Sequence, residues 1–313
     1  MSTVLVIGAG GFIGSEVSLA LVKSGYKVYG LVRKQEAANN LLKNEIIPIV
    51  CSAQDTQVWL PFALKVDIII DTIADLSDYT TPFKVQEALK TVHQERPKTS
   101  IIYTSGSLVY GDNDFLVDEN QPYLDHGFSQ WRIKIEEEYK KIGAVIIQPT
   151  ILYGKYQSFA GYFFEAVVNQ QTNGVVKVYG KPGLTQGFIH IYDLANLYLL
   201  AVKNVSLVKG QVIIANSFNE KIEDLLYSIG KAANKPVSKV EFIPPVKEAI
   251  FTEALTFNQI FSHTKSTQLL GYHPTQKRIV DDTERYLNAW VASRDPNSGI
   301  QKLIDSVVPK RAE

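Results

Sequence analysis

VLVIGAGGFIG, residues 4–14, decides the fold of this 313-residue chain. Val4, Leu5, Val6 and Ile7 form an unbroken apolar run, the pattern of a strand buried on both faces inside a parallel sheet. Gly8, Gly11 and Gly14 follow at three-residue spacing, and Phe12–Ser24 reads as a helix closed by Gly25. Strand, glycine turn and helix make a phosphate site for physical reasons. Gly8 lets the chain turn sharply, Gly11 carries no side chain to block a pyrophosphate, and Gly14 lets helix and strand pack closely. The helix then turns its N–H groups and the positive end of its dipole toward the anion. A glycine triad alone is a weak signal. This one follows the first strand, opens a helix and precedes a second strand, Lys27–Val32, so we expect a dinucleotide site.

Strand two ends Val32-Arg33-Lys34, where NAD sites of this type place an acidic residue on the ribose hydroxyls. A carboxylate there would repel a 2′-phosphate, whereas a guanidinium holds one with paired hydrogen bonds. NADP is therefore favoured over NAD; a solvated basic pair at a strand end is the bland alternative. Further apolar strands are expected at Ile46–Cys51, Val66–Asp71, Ser100–Thr104 and Ala144–Gln148, with helices at Glu36–Asn44, Thr56–Leu64, Thr81 to Pro97 and Trp131–Lys141. This alternation predicts an α/β fold with a doubly wound parallel sheet of the Rossmann type. Asp112–Gln130 reads as a polar loop, Ser158–Asn169 as an aromatic-rich helix, and Val175–Tyr179 as a short strand. Lys181–Gly187 reads as a loop, Phe188–Ile191 leads into a helix at Asp193–Val202, and Gln211–Ala215 reads as one more strand. From Asp295 the chain turns polar, and a loose tail is expected.

Composition narrows the function. With 45% hydrophobic and 20% charged residues the chain can bury a sizeable core, and its zero net charge points to no nucleic-acid or membrane partner. The single cysteine, Cys51, excludes an internal disulfide and suits a reducing, cytoplasmic compartment; its apolar neighbours predict a buried structural thiol. The first strand is expected within three residues, so no signal peptide is expected, and no apolar run reaches the ~20 residues of a membrane span. The five histidines show no metal-ligand spacing, so no metal is expected.

The motifs GAGGFIG (8–14), YTSGSLVYG (103–111), PTILYG (149–154), FIHIYDLANLY (188–198) and LLGYHP (269–274) resemble the extended short-chain dehydrogenase/reductase family, the NAD(P)-dependent epimerase/dehydratase-like group. The resemblance implies a cofactor lobe over residues 1–155, completed by about 183–218. It implies a smaller C-terminal substrate lobe from 156–182 and 219–294, ahead of the tail at 295–313. By resemblance Gly8, Gly11, Phe12, Ile13 and Gly14 contact the cofactor, Arg33 meets the adenosine phosphate, and Thr72 and Ala74 line the site. Pro149 and Ile151 border the nicotinamide. A small-molecule substrate and a homodimer through first-lobe helices are ordinary for the family.

The family's chemistry uses a Tyr and a Lys four residues apart, with a Ser or Thr from the end of strand five. A phenol of pKa ~10 needs a nearby ammonium to favour phenolate at neutral pH. Here the helix reads Phe128-Ser129-Gln130-Trp131-Arg132-Ile133-Lys134. Matching Lys134 to the family lysine puts Gln130 at the tyrosine position; matching Arg132 puts Phe128 there. Three readings stay open. The protein binds the dinucleotide without turnover, as a regulator similar to the fungal nitrogen-metabolite regulators. Alternatively it is an oxidoreductase or epimerase-type enzyme whose acid/base comes from Tyr123, His126 or Tyr110. In the third reading, water or the substrate supplies the proton. Ser105, Lys134 and Arg132 are the catalytic candidates. Ser105 could equally cap a turn, and Lys134 and Arg132 could belong to a solvated face with Glu136, Glu137 and Glu138. Trp131 reads as core or pocket wall. His190 reads as a hydrogen-bonded structural residue and Asp193 as the cap of its helix. Tyr162, Phe163 and Phe164 read as core or as an apolar substrate wall.

Overall fold

Strand β1 (Thr3–Ile7) shows why the chain folds as it does: Val4 to Ile7 have no exposed surface. In the computed structural model, which describes residues 2–74, 78, 80–124, 127, 129–155, 158–247 and 249–310, β1 is an inner strand of a seven-stranded sheet, between β4 and β2. The first lobe continues through α1 (Phe12–Lys23), β2 (Lys27–Val32), α2 (Gln35–Leu42), β3 (Ile47–Val50), α3 (Thr56–Ala63), β4 (Ile68–Asp71), α4 (Thr80–Glu95) and β5 (Ser100–Thr104). After a 3-10 turn at Ser107–Tyr110 come β6 (Asn113–Val117), α5 (Gln130–Lys141), β7 (Val145–Pro149), β8 (Ile151–Tyr153) and α6 (Gly161–Val168). Next are β9 (Val175–Tyr179), β10 (Thr185–His190), α7 (Ile191–Lys203), α8 (Val205–Val208), β11 (Val212–Ala215), β12 (Phe218–Lys221) and α9 (Ile222–Ala232). The chain finishes with β13 (Lys239–Ile243), α10 (Ile250–Ala254), β14 (Gln259–Phe261), α11 (Thr264–Leu270), α12 (Thr283–Ser293) and α13 (Gly299–Val307).

The main sheet runs β11-β7-β5-β4-β1-β2-β3, and every pairing in it is parallel. Side chains alternate across it. Val4, Val6, Ile70, Ile102 and Ile147 pack with Val17 and Leu21 of α1 and Leu194 and Leu197 of α7. Leu5, Ile7, Ile69, Ile101 and Ile146 pack on the opposite face with Trp59 of α3, Leu89 of α4 and Tyr139 of α5. Helices on both faces make the sheet doubly wound. A second sheet, β12-β10-β14-β6 with β8 on β10, and a β9/β13 ribbon support the smaller C-terminal region. Its core gathers Phe163, Phe164, Leu226, Leu287, Trp290 and Ile304, so Tyr162, Phe163 and Phe164 are core.

Three expectations change. The stretch read as a polar loop contains β6, whose Phe115 and Leu116 are exposed while Val117 is buried, so no two-residue alternation marks it. The loop read at Lys181–Gly187 gives its last residues to β10, which β8, β12 and β14 flank. The tail expected to be loose folds as α13 and buries Gln301, Ile304 and Val307. Among the described residues no helix is long and apolar enough to cross a membrane.

Candidate active site

At the end of β1 the backbone turns at Gly8 with φ +89°, a conformation that favours glycine. A Cβ on Gly14 would overlap the Gly8 carbonyl, so only glycine lets α1 start this close to the strand. Gly8, Gly10 and Gly11 then line a cleft of about 1090 Å³ at the carboxyl edge of the sheet. Leu31, Val32, Arg33 and Lys34 close one end, and Thr72, Ile73 and Ala74 form the β4 wall. Arg33 and Lys34 are exposed, and no carboxylate occupies the end of β2. The glycine cradle and the open N-terminal end of α1 fit a dinucleotide pyrophosphate, which the chain's own backbone would hold.

Of the residues expected at the cofactor, Gly8, Gly11, Arg33, Thr72 and Ala74 line this cleft. Gly14 supports it from beneath, while Phe12 and Ile13 pack on the α1–α7 core. Pro149 is buried at the end of β7 and Ile151 half-buried in β8, both outside the cleft lining. Gln54 and Thr81, the latter expected only at the start of a helix, also line the cleft. Gln54 Nε2 donates to Asp78 at 2.6 Å and to Thr81 Oγ1 at 2.8 Å, and Lys84 donates to Gln54 Oε1 at 3.1 Å. Cys51 is half-buried on the cleft wall and not an inner core thiol; burial and then Asp55 push it upward.

Beside the cleft lies a buried polar network. Ser105 follows β5 and donates to the Glu136 carboxylate, which has no exposed surface. Glu136 also accepts from Tyr123 at 2.5 Å and from Gln148 Nε2 at 3.0 and 3.1 Å. Lys140 donates to the Tyr123 hydroxyl at 3.1 Å, and Tyr110 donates to Gln148 at 2.9 Å. Burial and then the Glu136 charge push the Tyr123 phenol upward; Tyr110 shifts the same way for the same reasons. The expected solvated glutamate face is thus split: Glu136 points inward, Glu137 outward. Lys134 is exposed and has no hydrogen bond or ion pair among the described residues, so it is not drawn toward Ser105. His126 and Phe128 lie outside the described residues.

Arg132 reaches back to the end of β5. Its guanidinium lies 4.5 Å from the half-buried Trp131 ring and reaches Thr104 O at 3.4 Å and Tyr103 at 3.5 Å. Asp71, at the end of β4, accepts from Ile73 N at 2.9 Å and from Tyr139 at 2.7 Å. Burial pushes the Asp71 carboxyl up to about 6, against the pull of those hydrogen bonds and of Arg132. Farther along, His190 caps α7: Nδ1 accepts from Tyr192 N at 3.1 Å, and burial lowers its imidazole to about 4. Asp193, expected as that cap, instead accepts from Thr275 N at 2.9 Å and Thr275 Oγ1 at 2.6 Å, tying α7 to the C-terminal region. Among the described residues no group of three or more His, Cys, Asp or Glu is placed to hold a metal.

Comparison with known proteins agrees with this geometry. Residues 4–215 match the NAD dependent epimerase/dehydratase family. An uncharacterised protein of Schizosaccharomyces pombe is 26% identical over 294 residues, covering 89% of this chain and 97% of its own. Two solved structures share the fold. A dTDP-glucose 4,6-dehydratase of Bacillus anthracis, solved with NAD, superposes with a TM-score of 0.76 at 14% identity over 97% of this chain and 100% of its own. A UDP-glucuronic acid 4-epimerase of Bacillus cereus, solved with UDP-glucuronic acid and NAD, gives 0.73 at 20% identity over 96% and 99%.

Proposed function

The chain belongs to the NAD dependent epimerase/dehydratase family, and from that premise we propose that it binds NADP(H) and works as an oxidoreductase or epimerase-type enzyme on a small carbonyl or alcohol substrate. A nicotinamide dinucleotide is typical of that family. The observation that carries the choice of NADP is the exposed Arg33-Lys34 pair lining the cleft at the end of β2. A 2′-phosphate there gains charge-assisted hydrogen bonds that NAD cannot make.

When bound, the nicotinamide supplies or takes the hydride. The chain's part is to hold the cofactor in the glycine cradle, to border the nicotinamide with Pro149 and Ile151, and to handle the proton with a non-standard set of groups. Ser105, Arg132 and Lys134 are the proposed groups from the sequence. Of the acid/base candidates Tyr123, His126 and Tyr110, Tyr123 is favoured, since Lys140 lies within hydrogen-bond distance of its hydroxyl. Two copies pairing through first-lobe helices is part of this reading; Phe83 on α4 is 40% exposed.

The second reading, a dinucleotide-sensing regulator without turnover, is favoured by one observation. The Ser105 hydroxyl is committed to Glu136, and Lys134 stands in solvent. Titration of the purified protein with NADPH and NADH, followed by fluorescence, tests the cofactor. NADPH should bind more tightly, and Arg33→Ala should remove about 1–2 kcal/mol of that preference. Equal binding of both cofactors by the native protein would refute the NADP assignment. A screen of carbonyl compounds for NADPH oxidation then separates enzyme from regulator.

A further inference from the structure

We propose that α13 forms a wall of the dinucleotide cleft, and that Ile300 and Leu303 hold the bound cofactor there. Gly299, Ile300 and Leu303 line the same cleft as Gly8, Gly10 and Gly11, although nearly the whole chain separates them in sequence. This inference rests on the cofactor reading above and adds a part of the site that no glycine motif or sheet edge supplies.

The helix is held in place from behind. Asp295 O accepts from Ser298 N at 3.0 Å and Ser298 Oγ at 2.8 Å, which closes a turn before the helix. Ser298 Oγ then accepts from Gln301 N at 3.2 Å as the N-cap. One stripe, Gln301, Ile304 and Val307, is buried against the second-lobe core. Gly161 of α6 permits that close seat: a Cβ there would come within 3.0 Å of Ile304 Cδ1 and 2.7 Å of Trp290 Nε1. The adjacent stripe, Ile300 and Leu303, stands one turn apart and is only half-buried. Both pack partly on the second-lobe core, and their remaining apolar surface lines the cleft. A dinucleotide seated on the glycine turn removes that surface from water, and burial of apolar area is favourable. Because the cleft lining runs from the glycines to β2, Cys51 and Thr81, the half of the cofactor concerned is the ADP half.

The test uses the full chain with NADPH, NADH and ADP-ribose as probes, followed by fluorescence titration, competition and stopped-flow displacement. Ile300→Ala and Leu303→Ala together should weaken NADPH about 3- to 30-fold. The loss should lie mainly in faster dissociation and extend to ADP-ribose. Amide hydrogen exchange over 299–307 in the unaltered protein should slow when NADPH is added, which gives a readout even if the alanine variant unfolds. Native binding unchanged in the folded double variant, or exchange over 299–307 indifferent to NADPH, overturns the inference. Failure of the native chain to bind any of the three probes overturns the cofactor reading instead.

Discussion

Replacing Asp71 with asparagine should stabilise the protein near pH 8 relative to its effect near pH 4. Asp71 is 1% exposed, and burial raises its carboxyl from 3.8 to about 6. The folded state therefore keeps a proton that the unfolded chain releases between those values. Stability from this group is fully present below pH 3.8 and falls as pH rises through about 6. At ~1.4 kcal/mol per tenfold in proton affinity, the loss amounts to about 3 kcal/mol by pH 8. Asparagine keeps an oxygen for Ile73 N and can turn its amide toward the Tyr139 oxygen, without carrying the buried charge. Any cost from altered hydrogen bonding applies at both pH values, so the quantity to read is the change in ΔΔG between them. Urea unfolding of both proteins at pH 4.5 and pH 8 reads about 2 kcal/mol of it, since the rest is already lost at pH 4.5, and the corresponding relative gain in Tm at pH 8 is roughly 3 °C for a chain of this size. A ΔΔG that stays constant between the two pH values would refute the assignment of a raised carboxyl to Asp71.

The acid side should behave oppositely at His190. Its folded imidazole is lowered to about 4, so the stability it contributes is present above 6.5 and is lost as pH falls from 6.5 to about 4, by about 3 kcal/mol; His190→Gln should flatten that part of a denaturation profile, and an unchanged slope would count against it. Gly14→Ala must separate α1 from the Gly8 carbonyl, which should cost at least about 2 kcal/mol in urea unfolding and abolish NADPH binding in the same titration. A variant that binds NADPH with native affinity would show that the turn can relax.

The first lobe was legible because its strands are buried on both faces and its turn chemistry is local. Lys27–Val32 and Ser100–Thr104 are strands at the residues where their apolar runs predict them. The small sheet was less legible for the converse reason. Ile151–Tyr153 and Phe218–Lys221 are strands because β10 pairs with them, and three or four residues carry no periodicity of their own. The site divides along the same line. The glycines and Arg33 announce themselves through local backbone and charge. Glu136 does not: beside Glu137 and Glu138 it looks like one of three solvated charges, and only the fold reveals that Ser105, Tyr123 and Gln148 surround it. Ile300 and Leu303 follow a polar turn, and nothing in their spacing says which cleft they meet.

The Glu136 network also constrains what chemistry the proposed enzyme can perform. Tyr123 donates to a buried carboxylate and accepts from Lys140. The ammonium alone would favour phenolate, as in a Tyr/Lys pair, but burial and the Glu136 charge dominate and raise the phenol. A tyrosine held this way keeps its proton through the neutral range, so it is present as a weak acid and not as a base. Under the proposed function it therefore suits carbonyl reduction, in which hydride reaches carbon and a proton must reach oxygen, better than alcohol oxidation, which needs a base. Removing the carboxylate charge with Glu136→Gln should lower the Tyr123 phenol and shift any activity toward oxidation at alkaline pH. Spectrophotometric titration of the phenols near 295 nm in Glu136→Gln and Tyr123→Phe/Glu136→Gln would read the change, and an identical titration in both would remove Tyr123 from the proton path.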